Sequence, residues 1–354
     1  MNMINVLGEM EDLQCIVFSM KAADSWFNSP ANCKLVRQGR VSNQAVLRYV
    51  GYIKFNIFSF IQLLFTKPAA IIAYETYSIW PVYWYQKWNK SVRVHLHYHE
   101  YDSPEEIQMS SIYLKYLHQL EQKLWIKKVT ISQTNPDRME LFLRDHEFIK
   151  RNDTFIWPNY PPLAWLPFTS ELKNQAHSII IKLVHLGAVG METMYIEEMV
   201  NWVIAQEGKY SLDFITDNID DQAKSFLDTQ TSDLISVRAG VNYFELPKVM
   251  VNYDMGLTLY KGHIPNYVYN VPNKVMEYLV CGLPVAYSKE LISTQKFITE
   301  YQIPNCVELN FNDLTALQFQ EKLKTTFALP EEIVLLMNNQ KQDIKHFIQL
   351  MISA

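Results

Sequence analysis

Asn270-Val-Pro272-Asn-Lys274-Val-Met-Glu277-Tyr278-Leu-Val-Cys-Gly282-Leu-Pro284-Val-Ala-Tyr287 reads as a whole helix, with start, faces and stop, running directly into a strand. Pro272 suits the first turn, where a missing N–H costs nothing; Asn270 offers a capping side chain, and Gly282 followed by Pro284 ends the run. At about 100° per residue, Val275, Met276, Leu279 and Val280 share one arc, which is core. Lys274, Glu277, Tyr278 and Cys281 share the other. That arc sets a cation and a carboxylate one turn apart, near a helix N-terminus whose free N–H groups favour a phosphate.

An isolated Lys-x-x-Glu is usually no more than a surface ion pair; the surrounding residues narrow the choice. The run from Pro272 to Val285 resembles the Pro-x-Lys-x-x-Glu-Tyr-x-x-x-Gly-x-Pro-Val signature of nucleotide-sugar glycosyltransferases with two Rossmann domains (the GT-B fold), family 4 in particular. The resemblance implies that this helix faces the donor diphosphate, with Asn273 and Lys274 at its start, and that Glu277 holds the donor ribose.

The chain has 354 residues, comfortable for two domains. With 49% hydrophobic and 19% charged residues, the composition is globular, and a net charge of -5 argues against nucleic acid as a partner. Cys15, Cys33, Cys281 and Cys306 lack Cys-x-x-Cys spacing and read as reduced thiols rather than a disulfide frame or zinc site. With no signal segment read at the start, the expected location is cytoplasmic.

The first half alternates strand and helix. Met3 to Leu13 reads as the end of a helix and Gln14 to Met20 as a strand. No glycine lies between Tyr52 and Leu186, so the amino-terminal domain is expected to lack its first strand and glycine loop. Asn43 to Phe65 is an aromatic-rich helix that Arg48, Lys54, Asn56, Ser59 and Gln62 make too polar for a membrane span. Two readings stay open: a crossover helix packed on the sheet, or one whose exposed face touches lipid, giving peripheral contact with the inner face of the membrane. Ala70 to Glu75 reads as a short buried strand and Ile79 to Trp88 as a helix. Val92 to His99 is a strand whose period of two puts Arg93, His95, His97 and His99 on one face. His95 and His97 read as satisfied core residues, and no metal site is expected. His99 stands at the carboxyl end, where open α/β sheets place ligands, and with Glu100 to Glu106 it resembles the family's cleft-facing loop. Pro104 opens a helix to about Lys127, Val129 to Ser132 is a strand, and a helix follows from Asn135 to about His146. Phe155 to Pro162 breaks all periodicity and resembles the inter-domain segment.

The second half restarts at Ser178 with a strand, then Gly187-Ala188-Val-Gly190, then a helix from Met194 to Ile204. Seven of the ten glycines lie from Gly187 onward. Strand, glycine turn and helix bring backbone N–H groups to a phosphate. The family commonly has an arginine where Ala188 stands and a lysine soon after. Here the positive charge would come from Lys274, Lys261 and the helix dipole. Leu212 to Thr216, Ile235 to Val237 and Met255 to Leu259 read as further strands. Val241 to Pro247 and Tyr253 to Leu257 resemble the Tyr-x-x-Leu-Pro and Asp-x-Gly-Leu segments, and Tyr260 to Tyr269 should line the donor sugar. Tyr269 stands where many members carry a first glutamate. Pro330 to Ile352 reads as a final helix, which in this fold crosses back to brace the amino domain.

The expected architecture is therefore α/β, with two Rossmann-like domains facing a central cleft: residues 1–160, a linker 161–177, residues 178–330, and a bracing helix 331–354. The resemblance implies transfer of a sugar from a nucleoside diphosphate sugar to a hydroxyl of a glycan or lipid-linked acceptor in surface polysaccharide assembly, with retention and without a cofactor. His99 and Lys274 would be catalytic, and Gly187, Ala188, Tyr260, Lys261, Asn273 and Glu277 would bind substrate. A nucleotide-sugar epimerase of the same fold and a non-catalytic partner subunit remain as alternatives.

Overall fold

The computed structural model describes residues 2–353 apart from 22–29, 41, 43, 128, 167–179, 315–318, 320–322 and 324–326. Most of the 161–177 linker and the start expected at Ser178 therefore lie outside the described residues. The chain divides into two compact units, Met1–Asn159 with Asn339–Ala354, and Tyr160–Asn338.

The first unit holds strands β1 (Cys15–Lys21), β2 (Cys33–Arg40), β3 (Ala70–Tyr74), β4 (Arg93–Tyr98), β5 (Val129–Gln133) and β6 (Thr154–Ile156). β1 and β2 form a parallel pair that sets Cys15 opposite Cys33, and neither is in a disulfide. β3 to β6 form a parallel sheet in sequential order. Ala45–Thr66, Ile79–Trp88, Ile112–Trp125 and Pro136–Asp145 are the longer of the intervening helices.

Three details depart from the sequence reading. The helix anticipated from Pro104 to Lys127 is two, Pro104–Met109 and Ile112–Trp125. Ser103 and Glu106 form a capping box on the first. Ser111 accepts the Leu114 N–H at 3.2 Å to start the second, and serines that bond nearby backbone interrupt a helix in this way. β3 is half-buried along most of its length rather than buried. Thr154–Ile156 is a strand, too short for three residues to show a period.

The register of β4 on β5 explains the histidines. His95 lies opposite Thr130 and His97 opposite Ser132. The His95 ring makes 2.8 Å contacts with Thr130 Oγ1 and Ser132 Oγ, and His97 Nδ1 lies 2.7 Å from the same serine oxygen. Trp157 packs 4.0 Å from the His95 ring. Both rings are neutral, because burial lowers the His95 pKa to about 3 and holds His97 well below the usual imidazole range. Among the described residues no group of three or more His, Cys, Asp or Glu could hold a metal ion.

The second unit is a six-stranded parallel sheet of β7 (Ile181–Leu186), β8 (Tyr210–Ile215), β9 (Ile235–Arg238), β10 (Met255–Thr258), β11 (Val285–Ser288) and β12 (Val307–Leu309). The spatial order is β12-β11-β10-β7-β8-β9. The chain leaves β7 toward β8 on one side and returns through β10 on the other. In open α/β sheets ligands bind at such a switch point, here beyond the carboxyl ends of β7 and β10.

The helix Glu331–Ser353 contributes to both cores. Ile333 and Met337 belong to the second unit's core, while Ile344, Phe347, Ile348 and Met351 pack with Met3, Val6, Leu7 and Trp157 in the first. Lys341 and Lys345 pair with Glu9 at 2.6 and 2.8 Å.

Candidate functional site

The decisive helix spans Asn273–Val280, with Pro272 at its N-cap and no side chain capping it. Asn270, the expected cap, instead gives its carbonyl to the Thr294 hydroxyl at 2.8 Å. In the helix's first turn Val275 N–H bonds the Pro272 carbonyl at 2.8 Å, while the Asn273 and Lys274 N–H groups carry no side-chain cap. At the other end Gly282 is left-handed (φ +77°). Leu283 N–H reaches the Tyr278 carbonyl at 2.9 Å and Gly282 N–H the Leu279 carbonyl at 3.0 Å, so the turn closes as a Schellman motif.

The two-arc picture needs correction. Lys274, Tyr278 and Cys281 are buried along with the apolar arc, and only Asn273 is exposed, with Glu277 half-buried. Tyr278 is fully buried, and its hydroxyl accepts the Leu186 N–H at 2.7 Å, at the last residue of β7. Its ring lies against Gly256 on β10, where a Cβ would stand 2.2 Å from the ring. Tyr278 thus ties the helix to the strand end that precedes Gly187. Gly256→Ala should destabilise the protein by about 1–3 kcal/mol through overpacking, seen as a lower denaturation midpoint. An unchanged midpoint would mean that the ring can withdraw at no cost.

Beyond β7, Gly187 turns with φ +83°, a left-handed conformation that side chains resist, and Gly187 and Ala188 are exposed. His185, buried within β7, has its Nε2 3.1 Å from the Ala188 carbonyl oxygen and 3.3 Å from Lys274 Nζ. Lys274 also sits over the Tyr260 ring, 5.1 Å from its centroid. Burial lowers the Lys274 pKa to about 8, with the Glu277 charge acting the other way. Burial and the neighbouring ammonium hold His185 well below the usual imidazole range, so it is neutral. Burial raises the Glu277 pKa to about 7, opposed by Lys274 and by a hydrogen bond to the Tyr243 side chain.

Of the residues expected from sequence, the structure thus brings Ala188 and Lys274 to His185, with Tyr260 against Lys274 and Gly187 next in the turn. Asn273 and Glu277 lie on the same helix. Lys261 is directed elsewhere: its ammonium donates to the Met191 carbonyl at 3.1 Å. His185 and Tyr243 had not been selected. His185 is the one histidine in β7, whose other polar residue is the exposed Lys182, and Tyr243 stands within the Tyr-x-x-Leu-Pro segment.

His99 belongs to the first unit, at the end of β4. Its N–H donates to Glu75 Oε1 at 2.6 Å, its carbonyl accepts from Arg138, and its ring lies against Tyr74 and His97. Burial lowers its pKa to about 4. Glu75, another residue the sequence reading passed over, has φ +60°, strained for a glutamate, at the carboxyl end of β3. Burial raises its carboxyl pKa to about 8, against the hydrogen bonds from the His99 and Glu100 backbone. A strained, buried carboxyl beside a histidine at a sheet's carboxyl edge marks this end of the first unit as a second cluster suited to substrate contact.

No protein-family model matches this chain, and no curated protein matches it in sequence. Its structure is similar to that of sucrose-phosphate synthase from Thermosynechococcus elongatus (TM-score 0.66, 15% identity, 99% of this chain and 92% of that one). It is also similar to Anabaena HepE in complex with UDP (TM-score 0.64, 11% identity, 99% and 95%). A third similar structure is an α,α-trehalose-phosphate synthase (UDP-forming) from Burkholderia xenovorans in complex with glucose-6-phosphate (TM-score 0.63, 10% identity, 99% and 96%). The chain has the GT-B-like α/β fold of these proteins.

Proposed function

We propose that this protein is a glycosyltransferase that moves a sugar from a nucleoside diphosphate sugar to a hydroxyl of a glycan or lipid-linked acceptor. The observation that carries this reading is the buried Lys274 at an uncapped helix start, beside the left-handed Gly187 turn at the switch point of a Rossmann-type sheet. A diphosphate fits there because the ammonium, the free N–H groups and the helix dipole all favour negative charge. Glu277, one turn further, is the partner for ribose hydroxyls, and Tyr260 walls the ammonium. His99 acts in placing the reacting sugar or acceptor, while Asn273, Gly187 and Ala188 border the diphosphate. The finer features of the reading are a hexosyl donor, retention of configuration, a role in surface polysaccharide assembly, and work in the cytoplasm at the inner face of the membrane.

The test is a thermal-shift screen with UDP, GDP, TDP and ADP. One diphosphate should raise the melting temperature, since a ligand that binds only the folded state stabilises it by mass action. A response to none would favour a non-catalytic subunit, and turnover of nucleotide sugar without any acceptor would favour the epimerase. Glu277→Gln should weaken nucleotide affinity about 10-fold or more, the scale of a hydrogen bond to a charged group, with the fold intact. Equal affinity in the variant would remove Glu277 from the ribose.

A further inference from the structure

The helix Ala45–Thr66 presents its apolar side to solvent. Val46, Val50, Ile53, Ile57 and Ile61 are exposed, with Leu47 and Phe65 at the margin, and exposure reaches 74% at Val46 and 79% at Phe65. At 100° per residue these positions cover an arc of roughly 120°. The inward side holds Asn56 and Ser59, both buried, and Asn56 donates to the Tyr113 hydroxyl at 2.7 Å. Leu63 is buried on the same side and Phe60 packs on Trp80, so the helix carries apolar residues both inward and outward, and the outward ones lack cover among the described residues. The charge along this stretch of sequence is one-sided. From residue 25 to residue 74 the sequence has six basic residues (Lys34, Arg37, Arg40, Arg48, Lys54 and Lys67) and no Asp or Glu, in a protein of net charge -5. Lys54 lies within the exposed arc itself. Among the described residues no helix is long and apolar enough to cross a membrane.

We propose that this face docks on an anionic lipid surface, with the helix lying in the headgroup plane, its isoleucines toward the acyl chains and its basic residues at the phosphates. Exposed aliphatic residues supply hydrophobic insertion, and a basic segment free of carboxylates supplies attraction to negative headgroups; together they select anionic over neutral lipid. This deepens the peripheral placement given above, while the nucleotide site is independent of it.

Flotation of the full chain with vesicles of phosphatidylglycerol and phosphatidylcholine, against phosphatidylcholine alone, tests the surface. Binding should be at least 10-fold stronger to the anionic vesicles and should fall as salt rises. Ile53→Ser with Ile57→Ser should abolish it, and Lys54→Glu should weaken it. These exposed substitutions should leave the melting temperature and any nucleotide-induced shift unchanged, so loss of lipid binding is distinguishable from failure of the glycosyltransferase reading. Three outcomes would overturn the proposal: no binding to anionic vesicles at low salt, equal binding by the double serine variant, or a dimer of the native chain that the double variant converts to monomer.

Discussion

Lys274→Ala should lower turnover about 100- to 1000-fold at saturating nucleotide sugar, with a much smaller change in nucleotide affinity. Negative charge grows on the leaving diphosphate as the glycosidic bond breaks, so a fixed buried cation acts most strongly in the transition state. Ala188 brings no second cation, and Lys261 is held on the Met191 carbonyl, so little redundancy masks the loss. Arginine would keep the charge but not the geometry of a compact ammonium between His185 and Tyr260. Because burial sets the Lys274 pKa near about 8, native turnover should decline as pH rises through 8, and diphosphate binding above that pH should take up a proton. Calorimetry in buffers of different ionisation enthalpy would read that uptake. Undiminished turnover with weakened binding would make Lys274 a uniform binding residue.

Thermal stability should peak near pH 6.5. Two sets of buried groups oppose each other. His95, His97 and His185 have depressed pKa values, so below the ordinary imidazole value the unfolded chain binds protons that the folded chain refuses. Each such histidine then removes about 1.4 kcal/mol per pH unit. Glu75 and Glu277 have raised values of about 8 and about 7. Between those values and the ordinary carboxyl range the folded state holds the extra proton, so their contribution grows as pH falls and saturates near pH 4.5. Above pH 6.5 the carboxyl groups dominate; below it the more numerous histidines do, most steeply below 4.5. A melting temperature flat from pH 4 to 8 would show that these groups are hydrated rather than buried.

Much of the second unit was legible because its signals are local. Pro272, Gly282 and Pro284 fix the helix ends whatever surrounds them, and the aliphatic run before Gly187 marks a buried parallel strand. What escaped depended on distant residues. Nothing in the sequence near Tyr278 says that its ring rests on Gly256 or that its hydroxyl serves Leu186, so a buried anchor looked like part of a polar face. His185 gained meaning only when Lys274, 89 positions away, came within 3.3 Å. Glu75 was missed because a positive φ leaves no mark when the residue is not glycine. The serine break at residues 110 and 111 was legible in principle, but a continuous helix pattern on either side hid it.

The helix Glu331–Ser353 carries a consequence for the order of assembly during translation. Ile344, Phe347, Ile348 and Met351 belong to the same core as Met3, Val6 and Leu7. The core of the first unit therefore cannot close until residues 344 to 351 have been synthesised. In the meantime Trp157 and the apolar side of the helix Asn2–Gly8 lack their cover, while the second unit, apart from the start of Glu331–Ser353, has already been made. Nascent chains of this protein should accordingly depend on chaperones longest in the first unit, although its strands are made before those of the second, the reverse of the order in which earlier units fold first.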